Sequence, residues 1–287
     1  GLETGRQRVS MTKDKDINRG KKVSNMVTRK AIFITGGGSG IGRATAQFFA
    51  VRGWFVGLAD INKAGLAETA ALLPEGQSAS YVMDVRDRRQ WETTLAEFWD
   101  ASGGRLDILF NNAGIARGGL FEATSPEDND LLVDINFKGV LHGAEAGLDY
   151  LKQTPCSCLV NTCSAAGLYG SPGLVTYSAT KFAVRGLTEG LNLEWAEHGI
   201  KVRSIMPSFI DTPLLDITAA GSNRTAREGV KEAGLEFTPV ETVAQAVWDA
   251  AHGSKVHIVV GKTAKNIAFA ARWAPWPSPA QPLAPRP

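Results

Sequence analysis

The sequence predicts an α/β fold, a three-layer αβα sandwich built on one parallel, seven-stranded sheet. Three observations carry that expectation. Short apolar runs alternate with longer stretches of helical period along the chain. The runs are apolar almost throughout rather than at every second position, as strands covered on both faces are. Strand, helix, strand in steady repetition is satisfied by parallel strands joined through crossover helices.

The predicted strands are 31–35, 54–59, 79–83, 107–110, 158–163, 200–206 and 256–260. Residues 41–52 have helical period after the first, with Ile41, Ala44, Thr45, Phe48 and Val51 on one expected face. Trp91, Leu95, Phe98 and Trp99 form a second apolar helix face, expected in the core or in subunit packing. A third helical segment covers 175–197. No fixed-period repeat and no second composition regime interrupts the pattern, so 29–270 is predicted as one domain.

The ends differ from the body. Residues 1–30 hold nine Lys/Arg and three Asp/Glu, which leaves −4 for 31–287 within a net charge of +2. Residues 1–28 lack periodicity and are expected to be a disordered basic tail. Residues 271–287 are expected to be a Pro-rich tail, with six prolines between 274 and 287.

Composition excludes several classes. A near-balanced charge argues against a nucleic-acid binder held by a globally basic surface. No apolar stretch reaches the ~18 residues of a membrane span, and no secretory leader is recognisable, so a cytoplasmic protein without membrane contact is expected. Cys156, Cys158 and Cys163 fit neither a disulfide framework nor a zinc site; they read as small buried residues around one strand, in a reducing compartment. His142, His198, His252 and His257 are scattered, and no metal is expected.

The first strand runs into Thr35-Gly36-Gly37-Gly38-Ser39-Gly40-Ile41-Gly42, and a helix begins there. Gly36 lets the chain turn off the strand, Gly40 lets backbone approach a pyrophosphate, and Gly42 lets helix and strand pack closely. The free N–H groups of the helix start, Ser39 and Ile41 among them, then face the phosphates. Asp60 ends the second strand, 18 residues past Gly42. A carboxylate there accepts from the adenosine ribose hydroxyls and repels a 2′-phosphate, so NAD is the expected cofactor in a Rossmann fold. Arg43 and Lys63 are the cations nearby. Asp60 also reads as a helix N-cap for the segment starting near Asn62.

Tyr177 and Lys181 lie four apart on the 175–197 helix and so share a face. An ammonium beside a phenol favours the phenolate, and a phenol so tuned can exchange a proton with a substrate oxygen. Ser164 follows the fifth strand, thirteen residues before Tyr177, at the carboxyl end of the sheet where such folds bind ligands. That placement is expected to set Ser164 beside the glycine loop and Asp60.

With these residues in place, the chain resembles the short-chain dehydrogenase/reductase family over about 29–265. The resemblance rests on the 35–42 loop, Asp60, Asp84-Val85, Asn111-Asn112-Ala113-Gly114, Asn136, Ser164, Tyr177-Ser178-Ala179-Thr180-Lys181, Pro207 and Thr212. It implies Tyr177 as general acid/base, Ser164 as the donor holding the substrate oxygen, and Lys181 as the partner of Tyr177 and the nicotinamide ribose. It implies that Asn136 holds a water in a proton relay. Asp84 and Val85 would contact adenine, Asn112, Ala113 and Gly114 would line the cleft, and Pro207, Ile210 and Thr212 would meet the nicotinamide end. The segment 213–234 would form a lid; Leu214, Leu215 and Ile217 suit a hydrophobic alcohol, and Arg224 and Arg227 suit an acidic group. One departure is Ser208, where relatives usually have Gly, which is expected to restrict that turn.

The resemblance implies an NAD-dependent oxidoreductase interconverting a secondary alcohol and a ketone, acting as a homodimer or homotetramer. Two alternatives stand beside it: a nucleotide sensor without chemistry, and an epimerase or dehydratase using bound NAD transiently.

Overall fold

The computed structural model describes residues 29–273 except Ala219, so the predicted basic tail and residues 274–287 lie outside the described residues. The sheet contains β1 (Ala31–Thr35), β2 (Phe55–Asp60), β3 (Ser78–Val82), β4 (Ile108–Asn111), β5 (Cys158–Thr162), β6 (Lys201–Pro207) and β7 (His257–Val260). Their spatial order is β3-β2-β1-β4-β5-β6-β7, and every neighbouring pair is parallel. Chain order reverses between β1 and β4. At that switch point the loops leaving two adjacent strands diverge and open a crevice.

Helices cover both faces. One face carries α1 (Gly40–Ala50), α2 (Lys63–Ala71) and α8 (Val240–His252). The other carries α3 (Arg88–Ala101), α5 (Gly139–Gln153) and α6 (Val175–Glu194). The shorter α4 (Pro126–Val133) and α7 (Ala226–Glu232) lie in connections above the carboxyl ends of the strands. The last helix, α9 (Lys262–Trp273), takes in the first three residues of the predicted Pro-rich tail.

Strand residues divide between the two layers by their pleat. Ile32, Ile34, Val56, Leu58 and Phe110 pack against Phe49, Leu66, Val243 and Val247. Phe33, Phe55, Leu109 and Leu159 pack against Trp91, Leu95, Phe98 and Leu151. Burial on both sides is why the runs show no alternation. The apolar stripe of α3 is thus core, and Phe33 and Phe98 meet edge to face at 5.1 Å. At the opposite end of the sheet Asp107 fixes the start of β1, accepting from the Ala31 N–H at 2.9 Å and pairing with Arg105.

Two expectations need correction. The buried face of α1 is Gly42, Thr45, Ala46, Phe49 and Ala50, one position away from the predicted stripe, and Val51 is 70% exposed. Small residues let α1 lie close on the sheet, while Phe48 packs sideways on Trp248 of α8, so helix contact widened the apolar stripe. Cys158 and Cys163 are buried as expected, but Cys156 is exposed, in a left-handed turn with φ 60°.

Candidate active site and cofactor cleft

The glycine loop is built by close approach. Gly36 has φ +68°, and a Cβ on it would sit 2.9 Å from Asn112 Nδ2. A Cβ on Gly42 would sit 2.0 Å from the Gly36 carbonyl oxygen. Gly40 is left-handed too, at φ +49°, and faces Thr212 across the cleft, 3.2 Å from a would-be Cβ to Cγ2. Ser39 occupies the N-cap of α1 without making a side-chain cap bond, and no acid stands in the first turn. The leading N–H groups, Ile41's included, therefore point into the cradle without a side-chain partner.

Thr35 ties this loop to the next strand. Its Oγ1 accepts from the N–H groups of Asn112 and Ala113, each at 3.0 Å, and Asn112 Nδ2 donates to the Thr35 carbonyl at 2.9 Å. The Asn112 Oδ1 accepts from Thr162 at the end of β5. The Asn112 side chain thus staples three strand ends together, and its backbone with Ala113 and Gly114 forms the cleft wall. A Cβ on Gly114 would lie 3.2 Å from Asn136 Oδ1 and 3.8 Å from Lys181 Nζ.

Asp60 stands at the end of β2. Its Oδ2 accepts from the Gly38 N–H and its Oδ1 from the Asn62 N–H, both at 2.9 Å. The N-cap of α2 is Asn62, whose Oδ1 accepts from the Gly65 N–H, so Asp60 is not the cap. One accepted bond per oxygen leaves each with room for a further donor. Arg43 reaches the same corner but is engaged by Gly38, Glu68 and Thr69.

Beyond β3, the Asp84 carboxylate pairs with Arg86 on two edges at 2.6–3.0 Å, which holds its carboxyl below the usual range. The Val85 side chain is buried and its carbonyl accepts from Trp91 Nε1.

The candidate catalytic residues Ser164, Tyr177 and Lys181 lie across the sheet. Ser164 follows β5, and its Oγ accepts from the Ala166 N–H at 3.1 Å, which turns the hydroxyl back over the strand end. Burial pushes the Tyr177 phenol up to about 12, and the neighbouring Ser164 hydroxyl acts in the opposite direction. Lys181 is 4% exposed, and its Nζ donates to the Thr162 carbonyl at 3.0 Å and lies 5.5 Å from the Tyr177 ring centroid. Burial brings its ammonium down to about 8. The expected depression of the phenol by Lys181 is therefore not present in this geometry, because desolvation dominates both groups.

Asn136 is fully buried within a π turn, Asp134–Lys138, that links α4 to α5. Both ends of its amide bond Ile115: Oδ1 accepts from the N–H at 2.9 Å and Nδ2 donates to the carbonyl at 2.8 Å. Its side chain is accordingly a brace under the Gly114–Ile115 backbone. Widened turns of this kind re-aim backbone groups within a helix.

Pro207 ends β6, and its carbonyl accepts from Ser164 Oγ at 3.5 Å. Ser208 does not strain the turn, since among the described residues only Cys156 combines a side chain with positive φ. Its hydroxyl is enclosed without a hydrogen-bond partner. Ile210 packs its side chain into the core, so only its backbone borders the cleft. Thr212 stands over Gly40. In the expected lid, Arg224 pairs with Glu232, and Arg227 pairs with Asp211 and Asp216.

The structure thus gathers the predicted residues at the carboxyl ends of the strands in two groups. Gly36 to Gly42 and Asp60 form one, and Ser164, Tyr177 and Lys181 the other, with Asn112 to Gly114 between. Ser164 is not beside Asp60. β1 and β4 intervene between β2 and β5, a spacing of roughly 14 Å at ~4.8 Å per strand. Thr162, Ile115 and Glu68 were not anticipated, nor was the strand-tying role of Thr35; each acts through partners far away in sequence, and no local pattern marks that role. Among the described residues no His/Cys/Asp/Glu group could hold a metal, and no helix is long and apolar enough to cross a membrane.

These residues fit a nicotinamide dinucleotide: a cradle that a single Cβ would fill, an uncapped helix start, and a carboxylate with spare acceptors at the far end. Comparisons agree. Residues 30–222 match the family profile of short chain dehydrogenases. The chain is 35% identical over 221 residues to the 3-oxoacyl-(acyl-carrier-protein) reductase FabG of Thermotoga maritima, covering 76% of this chain and 88% of that one. It is 36% identical to levodione reductase of Leifsonia aquatica, over 66% of this chain and 72% of that one. Among solved structures, a short chain dehydrogenase/reductase from Burkholderia phymatum in complex with NAD superposes with a TM-score of 0.74 at 28% identity, over 85% of this chain and 92% of that one. The crystal structure of levodione reductase gives 0.73 at 28% identity, over 82% and 98%. The chain therefore belongs to the short-chain dehydrogenase family of nicotinamide-dependent oxidoreductases.

Proposed function

We propose that this protein interconverts a secondary alcohol and a ketone with NAD(H), using Tyr177 as general acid/base. The observation that carries the reading is the grouping of the Ser164 hydroxyl and the Tyr177 phenol with the buried Lys181 ammonium, whose Nζ lies 5.5 Å from the Tyr177 ring centroid. Two O–H groups converging on one point in a cleft can hold and protonate one substrate oxygen. Bound NAD(H) supplies the hydride acceptor or donor. Ser164 orients the carbonyl or alcohol oxygen, Tyr177 passes the proton, and Lys181 holds positive charge behind the phenol, where it favours the phenolate once both are partnered. With its proton affinity raised, the phenol is protonated at neutral pH, the form that donates to a ketone. Oxidation of an alcohol needs the phenolate and is expected to quicken as pH rises.

NAD is favoured over NADP by Asp60 and by the engagement of Arg43. Asp84, Val85 and the backbone of Pro207, Ile210 and Thr212 would frame the two ends of the cofactor, and Asn136 would support the relay through its π turn. The lid arginines are paired with carboxylates of the chain itself, whereas Leu214 and Phe121 stand 39% and 59% exposed. This favours an uncharged, apolar substrate, a cytoplasmic small molecule rather than an acidic one. Phe182 and Leu193, 38% and 78% exposed on α6, favour a homodimer or homotetramer through that helix; a stable monomer in sedimentation would contradict it.

Tyr177→Phe tests the mechanism. Turnover is expected to fall on the order of a thousandfold, while NADH affinity, read by nicotinamide fluorescence, stays within about twofold. A variant that keeps turning over would refute the role of Tyr177. A wild-type protein that binds NADH yet turns over none of a broad alcohol panel would favour the sensor alternative.

A further inference from the structure

We propose that Glu68 is a specificity residue of this enzyme: it clamps Arg43 and so keeps a guanidinium from accepting a 2′-phosphate. The inference rests on the reading that Asp60 and the glycine loop hold the adenosine ribose.

Arg43 lies in the first turns of α1, one step from that ribose corner. Its Nη2 donates to the Gly38 carbonyl and to Glu68 Oε2, each at 2.7 Å, and its Nε donates to Thr69 Oγ1 at 3.0 Å. Gly38 in turn donates its N–H to Asp60 Oδ2 at 2.9 Å. The guanidinium is thus two hydrogen bonds from the carboxylate that would read the ribose hydroxyls. Arginine forks match phosphate oxygens, and a free one at this position would recognise a 2′-phosphate.

Glu68 prevents this in two ways. It occupies one donor on the fork, and it adds a second carboxylate to the hydrogen-bonded group around Gly38 that already includes Asp60, so two acids stand there against one guanidinium. A phosphate of nearly two negative charges entering there meets net repulsion. The remaining ties to Gly38 and Thr69 do not depend on Glu68. With Glu68 removed, Arg43 stays positioned at the corner with a donor edge released. Lys63 is the other nearby cation; it is exposed at the first position of α2, and among the described residues it makes no ion pair.

The test uses the full chain and two pairs of probes, adenosine 5′-monophosphate against adenosine 2′,5′-bisphosphate, and NADH against NADPH. Calorimetry reads the first pair and nicotinamide fluorescence the second, so no substrate is required. Wild type is expected to prefer the probes lacking a 2′-phosphate. Glu68→Ala, at an exposed helix position where Ala is a good helix former, should bind the 2′-phosphorylated probes roughly tenfold more tightly, with the others unchanged. Glu68→Gln, which can still accept from Arg43, should show a smaller gain, and adding Arg43→Met to Glu68→Ala should erase it. An unchanged preference in a folded Glu68→Ala, or a gain that survives Arg43→Met, overturns the clamp and leaves the NAD reading standing. A wild-type protein that prefers NADPH overturns both.

Discussion

Between β1 and β2 the cleft is shaped by backbone; between β6 and α8, residues 211–238, it is shaped by exposed side-chain ion pairs. On the first side Gly42 leaves no room for a single methyl group beside the Gly36 carbonyl, and Thr35 and Asn112 lock adjacent strand ends through four hydrogen bonds at 2.9–3.2 Å. On the second, Arg227 donates to Asp216 and Asp211 and, at 3.0 Å, to the Thr212 carbonyl, while both carboxylates are more than half exposed. A backbone site reads what every dinucleotide shares and tolerates almost no change. A segment held by surface ion pairs can be altered at small cost, which is where a family that varies its substrates can vary its sequence.

The sharpest way to break this contrast is Gly42→Ala. Its Cβ would overlap a backbone oxygen that cannot yield without moving α1 from the sheet. We expect loss on the order of 3 kcal/mol or more, roughly 10 °C in Tm by calorimetry, and loss of measurable NADH binding. A variant with unchanged Tm and affinity would show that the loop is not the rigid side.

A middle-sized effect is expected at Lys181, where the proposed function and stability conflict. Its folded pKa, about 8, is below its ordinary value of 10.5. The folded state therefore loses this proton first, and burying the ammonium costs stability below pH ~8. That cost fades as pH rises to about 10.5, where the unfolded chain also releases its proton. Lys181→Met should abolish turnover yet stabilise the fold at pH 7 by no more than about 3 kcal/mol, read as a raised Tm, and its advantage over wild type should shrink from pH 8 to 10.5. A Tm below wild type at pH 7 would mean that the bond to the Thr162 carbonyl outweighs the burial cost.

The smallest effect belongs to the ion-paired side. Arg227→Gln should change stability by less than about 1 kcal/mol, shift the KM for the alcohol several-fold, and leave NADH affinity unchanged. A comparable loss of NADH affinity would show that the segment 211–216 is held as tightly as the glycine loop.

The two sides also differ in how far they could be read in advance. All seven strands are found within two residues of their expected ends; the inner strands are continuous apolar runs because both faces are covered, whereas the edge strands β3 and β7 are only partly buried. Gly36, Gly42 and the pair Tyr177–Lys181 were legible for the same kind of reason: turn sterics and helical spacing are local. What was not legible is long-range. Arg43 meets Glu68 25 positions away, and Asn112 turned out to staple strands with its side chain. Ile210 and Val85 look like cleft residues in sequence, yet their side chains belong to the core and only backbone remains for a ligand. The π turn around Asn136 has no composition signature. The lid arginines were ambiguous until their partners Asp211, Asp216 and Glu232 were placed beside them.

The central claim, an NAD(H)-dependent exchange of alcohol and ketone, is tested most directly by absorbance at the nicotinamide band. Purified protein would be given NAD and, separately, NADP with cyclic, aromatic and other apolar secondary alcohols at alkaline pH. Turnover with NAD, tenfold or more above NADP, is the expected result. Turnover with NADP above NAD would contradict the assignment of Asp60 and Glu68, and silence across the panel with NADH bound would contradict the chemistry itself.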